Sequence, residues 1–214
     1  MNDKVGAFCE LIEALYRRHS LWVRDPRANS KQRKLNVEIS KTYNVIEPGK
    51  LDHIVKKIKT QGIIDFPSGK DFLFLKPPDK EDVLPVLSIT GDLNEDALSV
   101  RMALFKFDGS EVPAAIGFRF ETPHGDGRHN YHHAQMITRF DKSMKKLPQV
   151  PCWLPVSQPA LMMSATNPLS LFLGVLIGLY GLGDLLRDWK GQPFTSHLKE
   201  DLDELRRGCG APLN

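Results

Sequence analysis

Between residues 83 and 140 the chain changes to a period of two, and this pattern constrains its fold more than any other feature. The runs VLPVLSIT (83–90), ALSVRMALFKF (97–107), EVPAAIGFRFET (111–122) and HNYHHAQMITR (129–139) alternate apolar and polar side chains. They are separated by GDLNED, DGS and PHGDGR, all turn chemistry. Successive side chains of a strand point to opposite faces, so each run supplies one greasy and one polar face. Connections this short imply antiparallel neighbours, because parallel strands need a long crossover. The expected fold class is α+β: an antiparallel four- to five-stranded meander over about 83–139. Helices should pack mainly on one face of it.

The faces must also agree across paired strands, which restricts the register. A two-residue hairpin at Asp108-Gly109 would set Met102 opposite Ala115 and Arg101 opposite Ile116, mixing the faces. A three-residue Asp108-Gly109-Ser110 loop sets Met102 against Ile116, Val100 against Phe118 and Leu98 against Phe120, which is consistent. Extending across PHGDGR with Thr122 opposite His129 brings Phe120 to Tyr131, Phe118 to His133 and Ile116 to Gln135. His133 is then expected on the apolar side. The opposite side collects Ser99, Arg101, Arg119, Glu121, Asn130 and His132. A slip of one residue in this last loop would exchange His132 and His133.

The flanks read as helix and loop. Val5, Phe8, Leu11, Ile12 and Leu15 form one stripe of a helix over 5–22. RDPRANSKQRK (24–34) has one proline, five basic residues and no apolar residue but Ala28, so it is expected to be a mobile loop. Leu51, Ile54, Val55 and Ile58 give a second helix, with Gly62 suited to its C-cap. DFLFLKPPDK (71–80) reads as a short strand stopped by two prolines. LPQVPCWLPVSQPAL is an extended crossing, too proline-rich for a central strand. Asn167 and Pro168 begin an apolar helix over about 168–180, capped at Gly181 or Gly183 and expected to be central. A last amphipathic helix follows Ser196 and ends at Gly208. With 214 residues, the chain is read as a single domain. It comprises a basic N-terminal helical region (about 1–66), a sheet region (71–140), a proline-rich crossing (147–159) and C-terminal helices (167–208).

Composition excludes several classes. The hydrophobic and charged fractions, 41% and 26%, are those of an ordinary globular protein. The run LSLFLGVLIGLYGLG (169–183) is interrupted by four glycines and is shorter than the ~20 residues a bilayer crossing takes. No signal segment opens the chain, so the expected location is cytoplasmic, without membrane contact. Cys9, Cys152 and Cys209 are odd in number and far apart, with neither a zinc-knuckle nor a redox spacing. Net charge is +3, but residues 1–80 carry 16 basic against 10 acidic residues. That half could meet a polyanion or an acidic partner.

Three chemistries are on offer. HGDGRHNYHH (124–133) holds four of the seven histidines. His132 and His133 diverge to opposite faces, and His129 and His133 are roughly 13 Å apart along a strand. The expectation is no metal site. Arg101, Arg119, Glu121 and His132 could form an acid–base and anion-stabilising set acting on a phosphate-containing substrate, as in a small hydrolase or nuclease. No nucleophile motif or phosphate loop accompanies them, and GLYGLG follows a helix rather than opening one, so no cofactor is implied. The third chemistry is basic: Arg24, Arg27, Lys31, Arg33 and Lys34 in the loop, with Lys50, Lys56, Lys57 and Lys59 on the next helix. Clustered cations suffice for phosphate contact without base readout. The leading expectation is a non-enzymatic cytosolic subunit or adaptor. It would dock onto a partner protein in a multi-subunit assembly, or onto the nucleic-acid phosphate backbone, through the basic N-terminal half.

Overall fold

A computed structural model describes residues 3–23, 25–66, 71–78, 83–106, 114–123, 130–139, 161–190, 194 and 196–208. In chain order these form α1 (Asp3–His19), β1 (Ser20–Leu21), α2 (Ser30–Ser40), β2 (Asn44–Val45), α3 (Pro48–Gln61) and β3 (Ile63–Phe66). There follow β4 (Asp71–Leu75), β5 (Val83–Asp92), β6 (Ala97–Lys106), β7 (Ala114–Glu121), β8 (His133–Ile137) and β9 (Leu161–Met162). The chain closes with α4 (Pro168–Tyr180), α5 (Leu182–Asp188) and α6 (Ser196–Gly208). Arg24 and the proline-rich crossing at 147–159, with Trp153, lie outside the described residues, as do residues 124–129, which include His124 and His129.

The class is α+β, as the alternation implies, but the sheet is larger than four or five strands. Its order is β1-β4-β5-β6-β7-β8-β9, with β2 also pairing β4 and β3 also pairing β5. Every pairing is antiparallel except that of the two-residue β2. The central ladder runs unbroken from Val83↔Lys106 to Asp92↔Ala97. β3 and β4 both lie along one edge of β5, Phe66 opposite Ile89 and Leu73 opposite Leu87.

Period-two burial builds two cores. On one face Leu87, Ile89, Leu98, Val100 and Met102 pack with α1, α3, α4 and α6, through residues such as Phe8, Leu15, Ile58, Phe172 and Leu198. On the other face Val86, Ala103, Phe105, Phe72 and Phe74 pack against Leu35 and Ile39 of α2 and against Tyr43. Helices therefore gather mainly on one side, as expected. α4 is enclosed along most of its length, from Pro168 to Leu173 and at Val175 and Leu176. Its start is a capping box: Asn167 accepts from Ser170 N while the Ser170 hydroxyl accepts from Asn167 N. At the end of α3, Gly62 sits at φ +69°, the left-handed conformation that favours glycine. Among the described residues no single helix is long and apolar enough to cross a membrane.

The sequence expectations fail in specific places. Residues 30–34 are not loop but the first turns of α2, because Asn29 caps the helix by accepting from Gln32 N and Leu35 and Ile39 bury its inner side. Strands β1, β2, β3 and β9 and helix α5 were not expected. Four of these five elements are short enough that no period can be read from them.

Candidate functional site

On the α2 side of the sheet, cross-strand neighbours line up in rows. Leu84 and Phe105 with Ala115, then Val86 and Ala103 with Gly117 and Ile137, make two apolar rows. The next two are polar: Ser88–Arg101–Arg119–Gln135, then Thr90–Ser99–Glu121–His133. The sheet face is thus half greasy and half charged.

The β6–β7 register differs from the expected one by two residues: Val100 faces Phe120 and Met102 faces Phe118. An even shift keeps every side chain on its face, so Ser99, Arg101, Arg119 and Glu121 gather as expected. The β7–β8 register differs by three, with Phe120 facing Ala134 and Glu121 facing His133. An odd shift exchanges faces. His133 therefore joins the polar side, and His132, one residue before β8, does not take the place expected for it. The physical reason lies in HGDGRHNYHH: polar at almost every position, it offers no burial preference to fix a register.

The polar rows form a connected network. Arg119 Nε lies 3.0 Å from Glu121 Oε2. Ser99 Oγ donates to Glu121 Oε1 at 3.0 Å. His133 Nε2 is 3.5 Å from Glu121 Oε2, and its Nδ1 donates to the Tyr131 carbonyl at 3.0 Å. Gln135 satisfies Arg119 with its carboxamide oxygen turned to the guanidinium, 2.7 Å from Nε. The His133 side chain has 0% exposure and that of Glu121 12%. An acid–base catalyst must reach the proton it moves, and the His133 ring has no surface open to a substrate. The Arg119–Glu121 ion pair and the contacts of Ser99, His133 and Gln135 link β6, β7 and β8 across the polar rows. His132, half-buried, is held below the ordinary histidine value by burial and then by the adjacent His133. Among the described residues no group of three His, Cys, Asp or Glu side chains is placed to hold a metal ion.

The basic residues expected to form one patch are divided. Arg27 is committed to structure. It chelates the fully buried Asp25 through Nε at 2.9 Å and Nη2 at 2.5 Å, donates to the Ser20 carbonyl at 2.7 Å and lies 4.7 Å over the Trp22 ring. Burial pushes the Asp25 carboxyl upward, and the Arg27 hydrogen bonds outweigh it, so it stays below its usual range. Arg33 donates to the Ala28 and Pro26 carbonyls at 2.9 and 3.1 Å, closing the loop ahead of α2. Lys31 and Lys34 stand on the exposed side of α2, one turn apart. The lysines of α3 lie across the sheet, since α3 packs in the first core and α2 in the second. Lys50 meets Asp71 at 2.8 Å, Lys57 meets Asp65 at 3.8 Å and Lys59 meets Glu13 at 3.3 Å. Lys56 is exposed.

Compared with known proteins, the chain matches no family model, no curated protein and no solved structure. Its chemistry has to be read from its own residues.

Proposed function

We propose that this protein is a non-enzymatic cytosolic docking subunit, and that it grips a polyanion through the outer face of α2. The polyanion is a nucleic-acid phosphate backbone or an acidic surface of a partner protein. The observation that carries the reading is the placement of Lys31, Arg33 and Lys34. All three are exposed on the first turns of a helix that has no acidic residue in its first turn and whose start is fixed by Asn29. The positive end of the helix dipole lies at the same place, so backbone and side chains favour the same sign of ligand. Phosphate recognition of this kind needs no base contact and weakens with salt.

The test changes Lys31 and Lys34 together to Glu and leaves Arg33 in place, since Arg33 also holds the loop. Binding to a short duplex DNA and to polyglutamate is followed by fluorescence anisotropy over a salt series. Wild type should bind one of the two polymers. Where that polymer is DNA, the double variant should lose about two units from the log–log salt slope, one per phosphate contact. Retention of polyglutamate alone would identify the partner as an acidic protein surface. A wild type that binds neither polymer, or a folded double variant that binds as wild type does, overturns the proposal.

A further inference from the structure

His19 closes the C-terminal end of α1 and is buried to 4% exposure. Four elements meet on it. Its carbonyl accepts from Lys76 N at 2.6 Å, just beyond β4. Its ring lies 4.5 Å from the Tyr180 ring at the end of α4 and 6.1 Å, edge-on, from Trp189 at the C-cap of α5. Its Nε2 is 3.8 Å from Asp188 Oδ2 and has no hydrogen-bond partner among the described residues. The Tyr180 hydroxyl donates to the Lys76 carbonyl at 2.8 Å, closing the ring of contacts.

The element packed on it is set off from α4 by a sharp bend. α4 and α5 are separated by Gly181 alone, at φ +81°, and their axes differ by 100°. α5 is short, and among its own residues only Leu185 is buried. Beyond Leu185, Trp189 is its main anchor, buried to 3% and packed on His19 and Phe194.

We propose that His19 is an acid-sensitive latch: the neutral imidazole pins α5 and Trp189 to the end of α1, and its protonation releases that corner while the sheet stays folded. Among the described residues, three charged groups act on the ring. Asp188 of α5 favours the imidazolium. Lys76 from the segment after β4 and Arg18 of α1 oppose it, and Tyr180 of α4 and Trp189 supply only ring surface. Burial is the largest influence, Asp188 works against it, and the balance pushes His19 down to about 4. The sign follows. Above the ordinary histidine value near 6.5 neither the closed nor the open corner takes a proton, and docking is at full strength. As pH falls from there toward 4, the open corner binds the proton more readily than the closed one. The docking then weakens progressively.

The experiment is amide hydrogen exchange of the full chain, corrected for the intrinsic pH dependence. Peptides spanning Leu182–Trp189 are compared with peptides from β5 and β6. Between about pH 7.5 and about pH 5 the opening of the α5 corner should rise about thirtyfold, with β5 and β6 unchanged. His19→Gln, which cannot titrate, should flatten that profile. Asp188→Asn, at an exposed side chain, should leave the rise down to about pH 5 nearly as it is and carry the release further below about pH 4, where the wild-type profile levels off, and it gives an independent reading should His19→Gln not fold. The proposal is overturned if α5 opens only together with β5 and β6, if His19→Gln keeps the wild-type pH profile, or if the release in Asp188→Asn levels off at the same pH as in wild type.

Discussion

Helices α2 and α3 come from the same basic half of the chain and carry similar numbers of cations, yet they are opposites. α3 buries Leu51, Val55 and Ile58 in the larger core, and three of its lysines meet carboxylates brought in by α1, β3 and β4. Among the described residues α2 is the one helix in the core on the second face, held by Leu35 and Ile39, with Lys31 and Lys34 exposed. A count of charges along a chain therefore does not define a patch. Topology decides which cations meet acids from distant segments, and among the described residues it brings Glu13, Asp65 and Asp71 to α3.

The comparison makes α3 part of the main core and α2 a satellite, and a core deletion tests this most severely. Ile58 is 1% exposed, so Ile58→Ala should cost about 3 kcal/mol of global stability, a usual value for a buried isoleucine truncated to alanine. Urea unfolding followed by far-UV circular dichroism reads it. A loss below about 1 kcal/mol would mean that α3 is as peripheral as α2.

What could be read from the sequence divides along the same line. Strands β5, β6 and β7 were legible because each runs eight to ten residues between turn signals; β6 buries Leu98, Val100 and Met102 at alternate positions, while β5 is enclosed on both faces from Leu84 to Ile89. The shared face of Ser99, Arg101, Arg119 and Glu121 survived a wrong loop length, since parity alone sets it. The histidine did not, because a segment polar on both sides has no parity to read. α2 was hidden by its own composition: three basic residues in its first five positions and Pro26 ahead of it resemble a loop. The signal that was present was Asn29 followed by Leu35 and Ile39 four apart, a cap and two anchors. The division of the basic residues between two faces was not legible at all, because it depends on which core each helix joins.

That reading of α2 rests on its cap, which supplies the next test. Asn29 accepts from Gln32 N at 2.9 Å, whereas Glu47, at the equivalent place on α3, makes no side-chain cap bond. Asn29→Ala should cost about 1 kcal/mol, and Glu47→Ala much less. Thermal unfolding of both variants separates them. If capping at Asn29 also orders the cations, Asn29→Ala weakens polyanion binding at a salt concentration where Glu47→Ala does not. Equal effects of the two substitutions would remove the distinction drawn between the helix starts.

The smallest expected effect bears most directly on the ion pairs. Lys59 reaches Glu13 at 3.3 Å, and Glu13 also receives Arg17 at 3.1 Å one turn along α1. All three side chains are substantially exposed, so solvent screens the attraction and ordering two long side chains offsets part of it. Lys59→Ala should therefore cost only about 0.5 kcal/mol at low salt and close to nothing at high salt. Lys34 has no ion pair among the described residues, and Lys34→Ala should be neutral at both. The informative quantity is the difference between the two variants in paired urea titrations at low and high ionic strength. A salt-dependent loss at Lys59 that is absent at Lys34 means that Lys59 is engaged within the fold while Lys34 keeps its charge for a partner. A reversed pattern would move the docking surface to α3.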